Sequence, residues 1–330
     1  MKANNSLCNQ YKITDWLPTS VKEMKAHGWN EVDVVLFSGD AYVDHPSFGA
    51  AVIGRVLQSH GLKVAIVPQP NWRDDLRDFR KIGRPRLFFG ISAGAMDSMV
   101  NHYTANRRRR SDDAYTPDGR HGMRPDYPTI VYSKILKEIY PDVPIIAGGI
   151  EASMRRLSHY DYWDDKLHKS ILCDAPIDML IYGMGELPIL EVVARLEKGE
   201  SISQITNVKQ TVVLSNTVPS YDDNNIILNS FEDCLKNKKS QAQNFKHIEQ
   251  QSNRFEGATL WQKHGNKYVK VNPMNPPMST SQIDASFDLP YTRLPHPRYN
   301  GKTIPAFEMI KFSVNMHRGC FGGCSFCTIS

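Results

Sequence analysis

"VDVVLFSGDAYVDHPSFGAAVIGRVLQSHGLKVAIVPQP", Val32 to Pro70, decides the fold. It opens with an unbroken apolar run, Val32–Phe37, that stops at Ser38-Gly39-Asp40. A helical stretch follows. Ser47 is its expected N-cap, Val52, Ile53, Val56 and Leu57 form an apolar stripe, and Gly61 ends it. A second apolar run, Lys63–Pro70, is then halted by prolines. A strand that is apolar on both faces is a strand covered on both faces. In a chain that alternates such runs with helices, this means parallel strands with helices above and below.

The same alternation continues downstream. Arg86–Gly94, Val143–Ser153 and Ile177–Glu186 are the next three strand segments, and "LPILEVVARLEKG" reads as a helix after the last. The fold class is therefore α/β, with a doubly wound, mostly parallel N-terminal sheet of the Rossmann-like or cobalamin-binding-like kind. In such sheets ligands sit beyond the carboxyl ends of the strands. Here those ends carry Gly39, Gly90, Gly94, Gly148, Gly149, Gly183 and Gly185. Each glycine taken singly is read as a tight turn.

Working outward, residues 1–200 are assigned to this α/β domain, 201–305 to a helical, hairpin and proline-rich connecting region, and 306–330 to the start of a further core. "QTVVLS" reads as a strand. Residues 228–252 are polar and helix-prone, with a thin apolar stripe at Phe231, Leu235 and Phe245. "TLWQKHGNKYVKV" reads as a hairpin turning at Gly265-Asn266. Seven prolines between Asn272 and Pro305 predict an extended segment lying across its neighbour. The long polar connection between Met99 and Pro128 holds Tyr103, Tyr115 and His121, which could fold over a site.

Composition narrows the classes. Of 330 residues, 41% are hydrophobic and 23% charged, as in an ordinary globular chain with a sizeable core. No apolar run approaches a membrane span, and the N-terminus has no apolar signal region, so the expected setting is the cytoplasm with no membrane partner. The net charge of +5 is mild. The one basic block, Arg107–Arg110, is followed at once by Asp112 and Asp113, and is read as a solvated loop rather than a nucleic-acid footprint. His159 with Asp161, and Glu186, carry no assignment.

The chemistry concentrates in "HRGCFGGCSFC", His317–Cys327, which holds three of the six cysteines. Lys311–Met316 before it alternates apolar and polar residues, as a short strand does. Cys320, Cys324 and Cys327 have C-x3-C-x2-C spacing, and Gly319, Gly322 and Gly323 let the backbone curl so that three sulfurs can converge. Reduced cytoplasmic thiolates favour zinc, copper(I) or iron–sulfur centres. Three thiolates leave one iron of a [4Fe–4S] cluster open. With His317 as fourth ligand they would close a zinc site instead. Cys8, Cys173 and Cys234 are isolated and read as ordinary thiols.

The cysteine loop, with Phe326 just before its third cysteine, resembles the cluster loop of radical S-adenosylmethionine (radical SAM) enzymes. Together with "GISAGAMDSMVNHYTANRRRRSDDAYTPDG", "IAGGIEASMRRLSHYDYW" and "QKHGNKYV", the chain resembles the YgiQ family over nearly its whole length. That resemblance implies a [4Fe–4S] cluster on Cys320, Cys324 and Cys327, with S-adenosylmethionine bound at the open iron. Phe326 would pack on the adenine, and reductive cleavage would give a 5′-deoxyadenosyl radical. It implies an electron donor such as a flavodoxin or ferredoxin, and leaves the substrate unknown. It also implies a (β/α) barrel of which only the first strand and cluster loop fall within this sequence. The expectation is thus a truncated barrel that does not turn over alone. Two other readings stay open. One is a zinc- or cluster-containing module that binds nucleic acid. The other is a cobalamin-like binder, although Asp44-His45 and Gly49 depart from the D-x-H-x-x-G pattern that ligand uses.

Overall fold

The computed structural model describes residues 11–220, 222–252, 254 and 256–315. Cys320, Cys324, Cys327, Phe326 and His317 lie outside the described residues. One nine-stranded sheet organises the chain. Its strands are β1 (Val34–Ser38), β2 (Val64–Pro68), β3 (Phe88–Ser92), β4 (Ile145–Gly148), β7 (Met179–Ile181), β8 (Thr211–Ser215), β9 (Asn225–Ile227), β10 (Thr259–His264) and β11 (Lys267–Val271). A separate two-stranded ribbon pairs β5 (His159–Asp161) with β6 (Lys166–His168). The sheet order is β2-β1-β3-β4-β7-β8-β11-β10-β9.

The first five neighbours, β2 to β7, are all parallel. The register follows the apolar runs residue for residue, with Val34, Val35, Leu36 and Phe37 paired to Val64, Ala65, Ile66 and Val67. Successive strand residues point to opposite faces, and each face has its own core. Val34 and Leu36 of β1 pack with Val52, Val56 and Leu57 of the helix Gly49–Ser59, and with Val192 and Val193 of the helix Glu186–Glu197. Val35 and Phe37 pack on the other face with Tyr132 and Leu136 of the helix Pro128–Ile139. The doubly wound reading of the unbroken runs therefore holds.

Beyond β7 the sheet continues without a break. β7 and β8, on either side of residue 200, are antiparallel neighbours. β8, β11 and β10 form an antiparallel meander, and β9 closes the edge parallel to β10. β10 and β11 make the expected hairpin. Gly265 has φ +59° at the first central position, where a two-residue hairpin turn favours glycine.

Three local expectations are corrected. Phe48, not Ser47, is the N-cap residue of the helix Gly49–Ser59, and no side chain caps it. The Ser47 hydroxyl is instead hydrogen-bonded to the Asn315 side chain. The stripe in 228–252 is not a core stripe: Phe231 is buried, but Leu235 is 56% and Phe245 37% exposed. The helices Phe231–Lys236 and Lys238–Ser252 are joined instead by polar groups, with Asn244 donating to the Asn229 carbonyl at 2.9 Å. Finally, Lys311–Asn315 forms a turn and coil rather than a strand. It issues from the helix Pro305–Ile310, and no described strand flanks it, so Phe312 and Val314 stay 93% and 84% exposed. Met316 lies outside the described residues.

The proline-rich segment is extended, as its composition dictates. Residues 292–296 run against 42–44, with Val43 bridged to Pro295 and the His296 N–H donating to the Tyr42 carbonyl at 3.0 Å. This return path also pins an entry helix. Glu23, in the first turn of the helix Val21–Ala26, accepts from the Thr19 N–H at 2.6 Å and faces His296 Nε2 at 3.4 Å. His296 Nδ1 accepts from the Arg298 N–H, which leaves the ring proton on Nε2, toward Glu23. Burial alone would raise the Glu23 pKa. The His296 and Thr19 hydrogen bonds overcome it and lower the carboxyl from 4.5 to about 2. A depressed carboxylate stabilises the fold fully above its unfolded pKa and loses that contribution as the pH falls through its folded one. Glu23→Gln is therefore expected to flatten the acid side of the stability curve between about pH 4.5 and 2. Urea midpoints of both chains measured across that window check it. Parallel curves would show that Glu23 contributes nothing.

Candidate functional site

The carboxyl ends of β1, β3, β4 and β7 open into a cavity of about 500 Å³. Among these five parallel strands the order runs second, first, third, fourth, fifth. The order reverses between β1 and β3, which is where open α/β sheets place their ligands. Helices leave the strands there in opposite directions, and no backbone crosses the gap. Six of the seven glycines at the strand ends line the cavity: Gly90, Gly94, Gly148, Gly149, Gly183 and Gly185. The N-terminal end of the helix Gly49–Ser59 and the start of the helix Glu186–Glu197 form its roof. Ile53, Ile150, Ile181 and Met184 give it an apolar wall.

Gly39, the seventh glycine, acts behind the cavity. Its N–H donates to the Ser92 carbonyl at 3.0 Å, and an added Cβ would collide with the Ala93 carbonyl. Glycine is required there because β1 and β3 come so close at their ends.

The polar anchor of the site is Asp40. It accepts from Arg124 Nη1 at 2.7 Å and from the Ala95 N–H at 2.6 Å. Arg124 is fully buried. Its other contacts are Asp113, by Nη2 at 2.9 Å and Nε at 3.1 Å, and the Ala93 carbonyl at 2.9 Å. Burial pushes the Asp40 carboxyl up to about 6, against the pull of Arg124 and the Ala95 amide. This one arginine ties the long connection after Met99 to the ends of β1 and β3. The sequence supplied the connection's length and polarity but not its anchor. Tyr103, Tyr115 and His121 do not line the cavity. Tyr115 lies behind it against Phe48, and Tyr103 donates to Asp126 at 2.8 Å.

Glu186, buried at the first position of its helix, lines the cavity as well. So does Asn315, the last described residue, through its contact with Ser47. Neither was assigned from sequence. Asp40 was legible only as the end of an apolar run, and its partner Arg124 lies 84 residues away. Asp44 and His45 do not line the cavity. Asp44 is held by Arg55 and by the Thr292 N–H, and His45 Nδ1 accepts from the Ser47 N–H. Their roles here are structural. Among the described residues no group of three or more His, Cys, Asp or Glu side chains could hold a metal ion, and no helix is long and apolar enough to cross a membrane.

A Rossmann-like sheet with a glycine-lined cavity at its switch point defines an α/β ligand-binding domain. Comparison with known proteins gives the family. Residues 16–313 match the family model described as Radical SAM N-terminal. The chain is 66% identical to the UPF0313 protein of Porphyromonas gingivalis over 328 residues, which cover 98% of this chain and 51% of that one. It is 64% identical to the UPF0313 protein of Bacteroides thetaiotaomicron, over 97% of this chain and 54% of the other. It is 43% identical to the UPF0313 protein YgiQ of Escherichia coli, over 96% and 50% respectively. The chain belongs to the UPF0313 (YgiQ) family of radical SAM proteins. It spans about half the length of the curated relatives it matches.

Proposed function

We propose that this chain supplies the ligand-binding domain and the cluster loop of a radical SAM enzyme. The observation that carries the reading is the family match over residues 16–313, followed within a few residues by Cys320, Cys324 and Cys327. The donor set fits the group. Three thiolates can hold three irons of a [4Fe–4S] cluster and leave the fourth for S-adenosylmethionine. When bound, that cluster would supply the electron that cleaves S-adenosylmethionine to a 5′-deoxyadenosyl radical, with a flavodoxin- or ferredoxin-type protein as donor. Phe326 would pack on the adenine, as its position in the motif suggests.

The described residues support a division of labour. Asn315 borders the cavity, and Cys320 follows five residues later. Five residues span at most about 18 Å. A cluster loop tethered at Asn315 is therefore within reach of the cavity mouth. The apolar wall would exclude water from a bound substrate, and Asp40, fixed by Arg124, would orient it without moving.

Anaerobic reconstitution with iron and sulfide tests the reading. The chain is expected to take up about four irons and, once reduced, to show a [4Fe–4S] signal in electron paramagnetic resonance. Cys320→Ala, Cys324→Ala and Cys327→Ala should each abolish it. Stoichiometric zinc with no iron uptake would overturn the proposal.

A further inference from the structure

The lining of the cavity selects for ligand charge. It contains no lysine, arginine or histidine side chain. Its ionisable side chains are carboxylates, Asp40 and Glu186, both buried. The guanidinium behind them, Arg124, has no exposed surface and directs its donors at Asp113, Asp40 and the Ala93 carbonyl. One guanidinium against Asp40, Asp113 and Glu186 leaves the surroundings net negative. Sites for phosphorylated ligands are built the other way, with cations and free backbone N–H groups converging on the phosphate. Each Asp40 oxygen accepts one hydrogen bond from the protein, so both keep a lone pair for a further donor. The opposite wall is Ile53, Ile150, Ile181 and Met184, and the volume of about 500 Å³ suits a small molecule.

We infer that the cavity binds a small organic ammonium ion, a primary amine on an apolar body, and rejects anionic and phosphorylated ligands. The ammonium group sits at the Asp40 and Glu186 end, and the apolar body lies along the isoleucine wall. This binding stands on the lining alone. Treating the amine as the enzyme's substrate rests on the radical SAM reading above.

Matched probes test it on the 330-residue chain at low salt. Tryptamine and phenethylamine are titrated beside the acids of similar shape, indole-3-acetate and phenylacetate, and beside flavin mononucleotide. Calorimetry or ligand-observed nuclear magnetic resonance gives the affinities. Both amines are expected to bind at least about tenfold more tightly than their acids, and flavin mononucleotide not at all. Glu186→Gln should weaken the amines several-fold. Ile53→Trp, which fills the cavity from its wall, should abolish binding. Circular dichroism confirms that each variant is folded, and the amine-to-acid comparison on the unaltered chain needs no variant. Amines that bind no better than acids overturn the inference, and so does amine binding that survives Ile53→Trp. A chain that takes up iron but shows no amine preference refutes this inference alone. One that prefers amines but holds only zinc refutes the cluster reading alone.

Discussion

Arg124→Met is expected to destabilise the fold by about 3–5 kcal/mol, the range for removing one partner of a buried ion pair. The arginine is fully buried, as is Asp113, and the Asp40 side chain is only 5% exposed. Methionine fills much of the same volume but leaves both carboxylates without their cation. The pH dependence separates this cause from simple loss of packing. Burial already raises Asp40 to about 6, and Arg124 is the main charge pulling it back. Without Arg124, the Asp40 value rises further. A carboxylate with a raised folded pKa contributes stability at low pH and loses it as the pH rises through the folded value. The gap between variant and parent should therefore be small near pH 4 and widen toward pH 7 and above. Urea midpoints at several pH values measure it. A gap that is constant with pH would mean that packing, not the stranded charge, is responsible. Asp40→Asn in the same chain should recover part of the loss at neutral pH, because it removes one of the stranded charges.

That ion pair also marks the limit of what the sequence could disclose. β1 to β4 and β7 were legible because burial on both faces demands unbroken apolar runs, and Val34–Ser38 and Val64–Pro68 have no polar interior residue to blur the pattern. The glycines at the strand ends were legible for the same reason, since each terminates a run. Asp40, Arg124 and Asp113 were not legible as a unit. Nothing local marks Arg124 as buried, and an arginine in a polar connection is ordinarily solvated. β5, β6 and β9 are three residues each, too short for a period to register. Ser47 shows a different failure. Its position before a helix predicts a cap, but its hydroxyl is taken by Asn315, 268 residues away in the chain. A local preference worth about 1 kcal/mol yields readily to a tertiary contact. Lys311–Asn315 shows the converse. Alternation alone makes no strand, because a strand needs a partner to satisfy its N–H and C=O groups.

Gly94→Ala should be the most damaging single-carbon change at the site, with an expected cost of about 3 kcal/mol. Two effects add. Gly94 has φ +118°, a conformation that costs a side-chain-bearing residue about 1–3 kcal/mol. The new methyl would also collide with the Asp40 carboxylate, and relieving that clash in a packed site costs about another 1–3 kcal/mol. Gly61→Ala separates the terms. Gly61 has φ +85°, but nothing lies within 4 Å of its would-be methyl, so alanine there meets only the backbone term. The excess of Gly94→Ala over Gly61→Ala, measured by urea unfolding, is the clash with Asp40. Because the clash acts by breaking the Arg124–Asp40 contact, Gly94→Ala should cost less in an Arg124→Met background than alone. Strict additivity would show that the two residues do not act through the same carboxylate, and that Asp40 is not the hinge on which the long connection and the cavity both hang.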